Sequence, residues 1–206
     1  MKRLREHSLI LGLLVALACV SACKRADTQG DDLINAAAFD DLPRVKALLA
    51  AGADVNAETG MGDTALIMAS MMGNLEVVQT LIHAKADVNA KTADGGTALI
   101  AASMGGHLEV VRALLDANAK VNTRTNGSLT ALVIASQNGH LEVVRTLLDA
   151  KAEDNPSGWS PFSVNRPTAL MMASQNGHTE VVRALLDAKA DVNARMVVRP
   201  SSPPVP

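Results

Sequence analysis

Aromatic side chains are almost missing from this chain. Its 206 residues include one Trp, two Phe and no Tyr. A core centred on large rings, or a typical β-sandwich interior, cannot be assembled from three aromatics. Cysteine is equally scarce: Cys19 and Cys23 are the two in the chain, and neither can staple the residues that follow. Charge of one sign is lacking too, with 19 Lys and Arg against 21 Asp and Glu and a net charge of −2. No basic stripe is present, which excludes a nucleic-acid partner. No phosphate loop, metal-ligand spacing or nucleophile–base motif occurs. The chain is therefore expected to be no enzyme and to carry no cofactor and no metal.

What remains is small and aliphatic. Apolar residues make up 48% of the chain, too many for a disordered protein. Ala, Leu, Val and Met dominate them, a set suited to closely packed helices. One segment stands apart. "MKRLREHSLILGLLVALACVSAC" carries Lys2, Arg3 and Arg5, then an apolar run from Leu9 to Val20, then small residues. That order is the order of a secretory signal peptide, and the run is too short for a comfortable membrane span. Its end, "VSAC", resembles a bacterial lipobox. The resemblance implies cleavage before Cys23, leaving 1–22 as the signal peptide, and lipidation of Cys23. "ALAC" makes Cys19 a second candidate, with Ala16 where the pattern prefers Leu or Val. Lys24 rather than Asp follows Cys23, which by the sorting rule of enteric bacteria implies the outer membrane. The expected location is the bacterial cell envelope, lipid-anchored, on the periplasmic face.

Self-comparison then decides the fold. "TALIMASMMGNLEVVQTLIHAKADVNA" starts at Thr64, "TALIAASMGGHLEVVRALLDANAKVNT" at Thr97, "TALVIASQNGHLEVVRTLLDAKAEDN" at Thr130 and "TALMMASQNGHTEVVRALLDAKADVNA" at Thr168. An earlier copy, "DDLINAAAFDDLPRVKALLAAGADVNA", fits from Asp31 with Asp31 in place of Thr and Asp40 in place of Gly. Each copy reads as two short helices. The first carries Ala65, Leu66 and Ala69, and a Gly (Gly73, Gly106, Gly139, Gly177) breaks the chain. The second carries an apolar stripe of Leu75, Val78, Leu81 and Ile82. A unit of this length with "TALxxA", "GHxEVVxxLL" and "ADVNA" resembles the ankyrin repeat, with Ala where the family's T-P-L-H-x-A has Pro. The resemblance implies an all-α solenoid of five stacked repeats, 31–63, 64–96, 97–129, 130–167 and 168–195, forming a monomeric array. Residues 23–30 are read as a tether and the Pro-rich 196–206 as an extended, disordered tail.

Regular features read as scaffold. His107, His140 and His178 recur at one position, expected in the turn between helices and bonded to local backbone rather than to a metal. Glu76, Glu109, Glu142 and Glu180 recur early in the second helix, expected to cap free N–H groups and complement the dipole. Met68, Met71 and Met72 share a helical face. Three thioethers can bind Cu(I), but such Met more often fill gaps or form an adaptable surface.

Exceptions to the repeat read as function. The resemblance implies a protein partner on the concave face and the finger tips. The varying positions there are Met71, Met72, Met104, Gln137, Asn138, Gln175 and Asn176, with Asp94 and Asn126 in the fingers. "NPSGWSPFSVNRP" adds five residues before the last repeat and places Trp159 and Phe162 on an elongated finger. They are expected either to anchor a partner or to cover the joint between repeats. The leading expectation is a non-enzymatic protein-binding module of the envelope. An immunity or inhibitor protein against a toxin or effector, and oxidative-stress protection by a Met-rich surface, are the alternatives.

Overall fold

The computed structural model of the chain describes residues 29–153 and 167–194. The signal segment, Cys23 and the proline-rich tail fall outside them, as does the insertion bearing Trp159 and Phe162. Helices follow one another in pairs: α1 (29–38) with α2 (Leu42–Ala50), α3 (Ala65–Met72) with α4 (Leu75–His83), and α5 (Ala98–Gly105) with α6 (Leu108–Asp116). Then come α7 (Ala131–Gln137) with α8 (Leu141–Asp149), and α9 (Ala169–Gln175) with α10 (Thr179–Asp187). Among the described residues there is no strand, only an isolated antiparallel bridge from Glu58 to Thr64. This is the all-α solenoid that the repeats imply. α1 starts at 29, ahead of the boundary read at Asp31, so Asp31 lies inside a helix.

From α2 onward the helices hold seven to nine residues each. Helices this short are marginal in water on their own, so packing must hold them. The first helices α3, α5, α7 and α9 pack on one another more closely than the second helices α4, α6, α8 and α10 do. The array therefore curves with the first helices as its inner, concave row and the second helices as its outer row.

Each inner helix starts on a buried threonine. Thr64, Thr97, Thr130 and Thr168 sit in extended backbone, and their hydroxyls accept from the N–H groups of Ile67, Ile100, Val133 and Met171. Each such cap is worth about 1 kcal/mol. The outer helices have no side-chain cap from the residue before them.

The core runs through every joint. Leu66, Leu99 and Leu132 face it from the inner row, and Leu81, Leu114, Leu147 and Leu185 from the outer row, all essentially inaccessible to solvent. Burial of one such side chain contributes about 1.5–3 kcal/mol. The outer stripe is rotated from the expected one. Val77 is fully buried beside Val78 and Leu81, whereas Leu75 and Ile82 are half-buried at its edges. Two valines in sequence can both turn inward because a neighbouring repeat packs on each flank.

Adjacent repeats are also tied by polar groups. The Oδ1 atoms of Asn56, Asn89 and Asn122 accept from the N–H groups of Asp87, Lys120 and Glu153 at 2.7, 2.8 and 3.0 Å. The histidines act the same way, which corrects the expectation of a bond within the local turn. Nε2 of His107, His140 and His178 lies 3.0, 3.1 and 2.9 Å from the carbonyls of Met71, Met104 and Gln137, each in the preceding inner helix. Gly73 and Gly106 have φ of 80° and 73°, and a Cβ on either would lie 2.5 and 2.6 Å from Nδ1 of the next repeat's His. Glycine is required there twice over, by backbone conformation and by the ring lying against it. In the first pair Asp40 takes the left-handed turn with φ 59°. Asn74, in the position of the histidines, donates to the carbonyl of Ala37 at 2.8 Å.

Candidate functional site

The two rows differ in chemistry. None of α3, α5, α7 and α9 contains Asp, Glu, Lys or Arg. The outer helices carry a repeated charge pair instead. Glu109–Arg112, Glu142–Arg145 and Glu180–Arg183 are bridged at 2.9, 3.0 and 2.9 Å. These carboxylates turn toward arginine and make no cap to their helix N-termini, which corrects the capping role expected for them. Exposed i,i+3 pairs contribute little to stability.

The inner row also differs along its length. Met72 and Met104 are 48% and 46% exposed. Met71 is half-buried and packs, like Met68, against the core. The three neighbouring thioethers of α3 are therefore not presented together to solvent, which argues against a shared Cu(I) site. Further along, Gln137 is half-buried and Asn138, Gln175 and Asn176 are exposed. Positions 71, 104, 137 and 175 thus recur on successive inner helices, changing from thioether to amide.

Phe39 belongs with this set and was not foreseen. It is 83% exposed and stands one period before Met72. The signal was available, because aligning the first copy puts Phe39 in register with Met72, Gly105 and Asn138. Met61, 70% exposed on the first finger, extends the apolar surface at the same end.

Half of the amides are already engaged. Nδ2 of Asn138 donates to the Met104 carbonyl at 3.0 Å, and Nδ2 of Asn176 to the Met172 carbonyl at 2.8 Å. Asn126 belongs to the finger stack. Its N–H donates to the Asp94 carbonyl at 2.7 Å and its side chain to the Ala93 carbonyl at 3.0 Å. Among the described residues the side-chain amides of Gln137 and Gln175 make no hydrogen bond.

The fingers are stacked by backbone bonds, Ala93 N–H to the Met61 carbonyl at 2.8 Å and Asn126 N–H to the Asp94 carbonyl. Within the second finger the Thr92 hydroxyl donates to the Asp94 carboxylate, and the Gly96 N–H adds a bond at 3.4 Å. The hydroxyl, more than the N–H, holds the Asp94 carboxyl below its ordinary range. Asp94 is exposed, so this is a local device that keeps the finger closed.

A depression of about 450 Å³ lies elsewhere, between α8 and α10 on the outer row. Arg145, Asp149, Glu180, Arg183 and Asp187 line it, so the Glu180–Arg183 pair and the arginine of the Glu142–Arg145 pair stand at its rim. It brings together no nucleophile and base, and among the described residues no group of three His, Cys, Asp or Glu side chains is placed to hold a metal.

The family model for ankyrin repeats in three copies matches residues 33–125, 82–157 and 123–196. The chain belongs to the ankyrin repeat family. Ankyrin repeats are in general protein–protein interaction modules, typically without enzymatic activity, and a protein partner is the implication for this chain too. A search of curated proteins finds no match.

Proposed function

We propose that this ankyrin repeat chain binds a protein partner across its inner helices and fingers, by surface complementarity and without catalysis. One observation carries the reading. The outer row repeats the same charge pair in three successive helices, while the inner row varies and exposes Met72 and Met104, with Phe39 exposed just past α1 in the same register. Variation over a regular scaffold is where an array of this kind encodes recognition. The test is capture of proteins from the cells that make the chain, using two altered forms. Met72→Asp with Met104→Asp should abolish capture, and Arg112→Asp with Arg145→Asp should leave it intact. The reverse pattern would move the site to the outer row.

The same proposal places the protein in a bacterial envelope. It is exported by residues 1–22, held by lipid on Cys23 and exposed to the periplasm, most consistently at the outer membrane given Lys24. The support is the order of basic, apolar and small residues ending in "VSAC". Labelling with a palmitate analogue should be lost in Cys23→Ala and kept in Cys19→Ala.

A second reading is favoured by the exposure of Met61, Met72 and Met104. These thioethers would take oxygen from peroxide, giving sulfoxide and water, and be restored by reductases. Peptide mapping after peroxide should then find sulfoxide at these three before Met68 and Met71. Uniform oxidation would dismiss it.

A further inference from the structure

We infer that the partner presents an uncharged segment to this face, apolar where it meets Met72 and Met104 and hydrogen-bonding where it meets Gln137 and Gln175. The inference rests on the inner-face reading above and adds the chemistry of what docks there.

α3, α5, α7 and α9 supply no charged side chain. A Lys or Glu of a partner laid on them would lose water and gain no opposite charge in return, a penalty that rejects charged partners. The apolar end can repay an apolar partner. Met72 and Met104 are about half exposed, and flexible thioethers adapt to varied shapes. The other end is built for hydrogen bonds. Asn138 and Asn176 already spend their amides on the scaffold, while the amides of Gln137 and Gln175 have no partner among the described residues. These two glutamines, on successive inner helices, can each give and take a bond from a peptide backbone or a neutral polar side chain.

The size of the segment follows from spacing. Helices pack about 8–10 Å apart, so four inner helices span about 30 Å. An extended chain covers that in about nine residues at about 3.3 Å each.

The probe is a phage-displayed library of random peptides of about twelve residues, panned on the immobilised full chain. Enriched peptides should be depleted in Asp, Glu, Lys and Arg, with Leu, Ile, Val, Met or aromatic residues at one end and Ser, Thr, Asn or Gln at the other. A synthetic peptide of the enriched sequence should bind with an affinity that changes less than about twofold across a tenfold range of salt. Met72→Asp should weaken it by about tenfold or more, and Gln137→Leu by a smaller factor. Charged peptides that still lose binding in Met72→Asp would overturn the inference and leave the inner-face reading standing. Peptides indifferent to Met72→Asp but sensitive to Arg145→Asp would sink both. Failure of the library to enrich over bare support would also count against the inference.

Discussion

The inner and outer helices come from one repeated sequence and do different work. Each of the inner helices α3, α5, α7 and α9 begins on a capping threonine, carries no charge and changes its solvent-facing residues from repeat to repeat. Each outer helix from α6 onward lacks a side-chain cap, carries the same Glu–Arg pair and buries its first Val and the Leu four residues on. The lesson is that regularity here marks support and irregularity marks recognition.

Substitutions in the two rows put numbers on that contrast. The largest effect is expected from Leu114→Ala, which empties a fully buried site of the outer row. It should destabilise the array by about 2–5 kcal/mol in urea unfolding, and Met72→Ala on the inner row by less than about 0.5 kcal/mol. Next comes Thr97→Ala, which removes the cap of α5 and should cost about 1 kcal/mol. His107→Ala on the outer row should act between repeats instead, by freeing the Met71 carbonyl. Ser103→Ala should be neutral or stabilising, by up to about 1 kcal/mol, because its buried hydroxyl finds no partner. Ala37 fills the same register position in the first repeat and is equally buried.

The fingers add a pH effect. The Asp94 carboxyl is held low in the folded chain. Its contribution is therefore complete above the unfolded value of about 3.9 and is lost as pH falls through the lower folded value. Thermal melts in acid should show this dependence reduced in Asp94→Asn. The smallest effect is expected from Arg112→Gln, which breaks one exposed pair. It should change stability by less than about 0.5 kcal/mol, and a larger loss would mean that the outer charges carry more than solubility.

Much of this was legible beforehand. The period, the helix pairs, the glycine turns and the all-α class follow from in-register copies, since a repeat displays its own alignment. What escaped was contact between copies. Nothing inside one repeat says that His107 reaches back to Met71, or that two adjacent valines both turn inward, because those facts belong to the joint. Phe39 escaped for another reason: a single aromatic in a divergent first copy looks like decay until its register with Met72 is drawn. Asn138 and Gln137 looked alike in sequence, and only their hydrogen bonds separate an amide spent on the scaffold from one left open.

Site-specific photo-cross-linking in living cells asks each row separately whether a partner sits on it. A benzophenone amino acid replaces Met72 on the inner row in one strain and Arg112 on the outer row in another, both exposed positions. The account predicts a discrete protein adduct from position 72 and none from position 112. An adduct from position 112 with none from position 72 would contradict it.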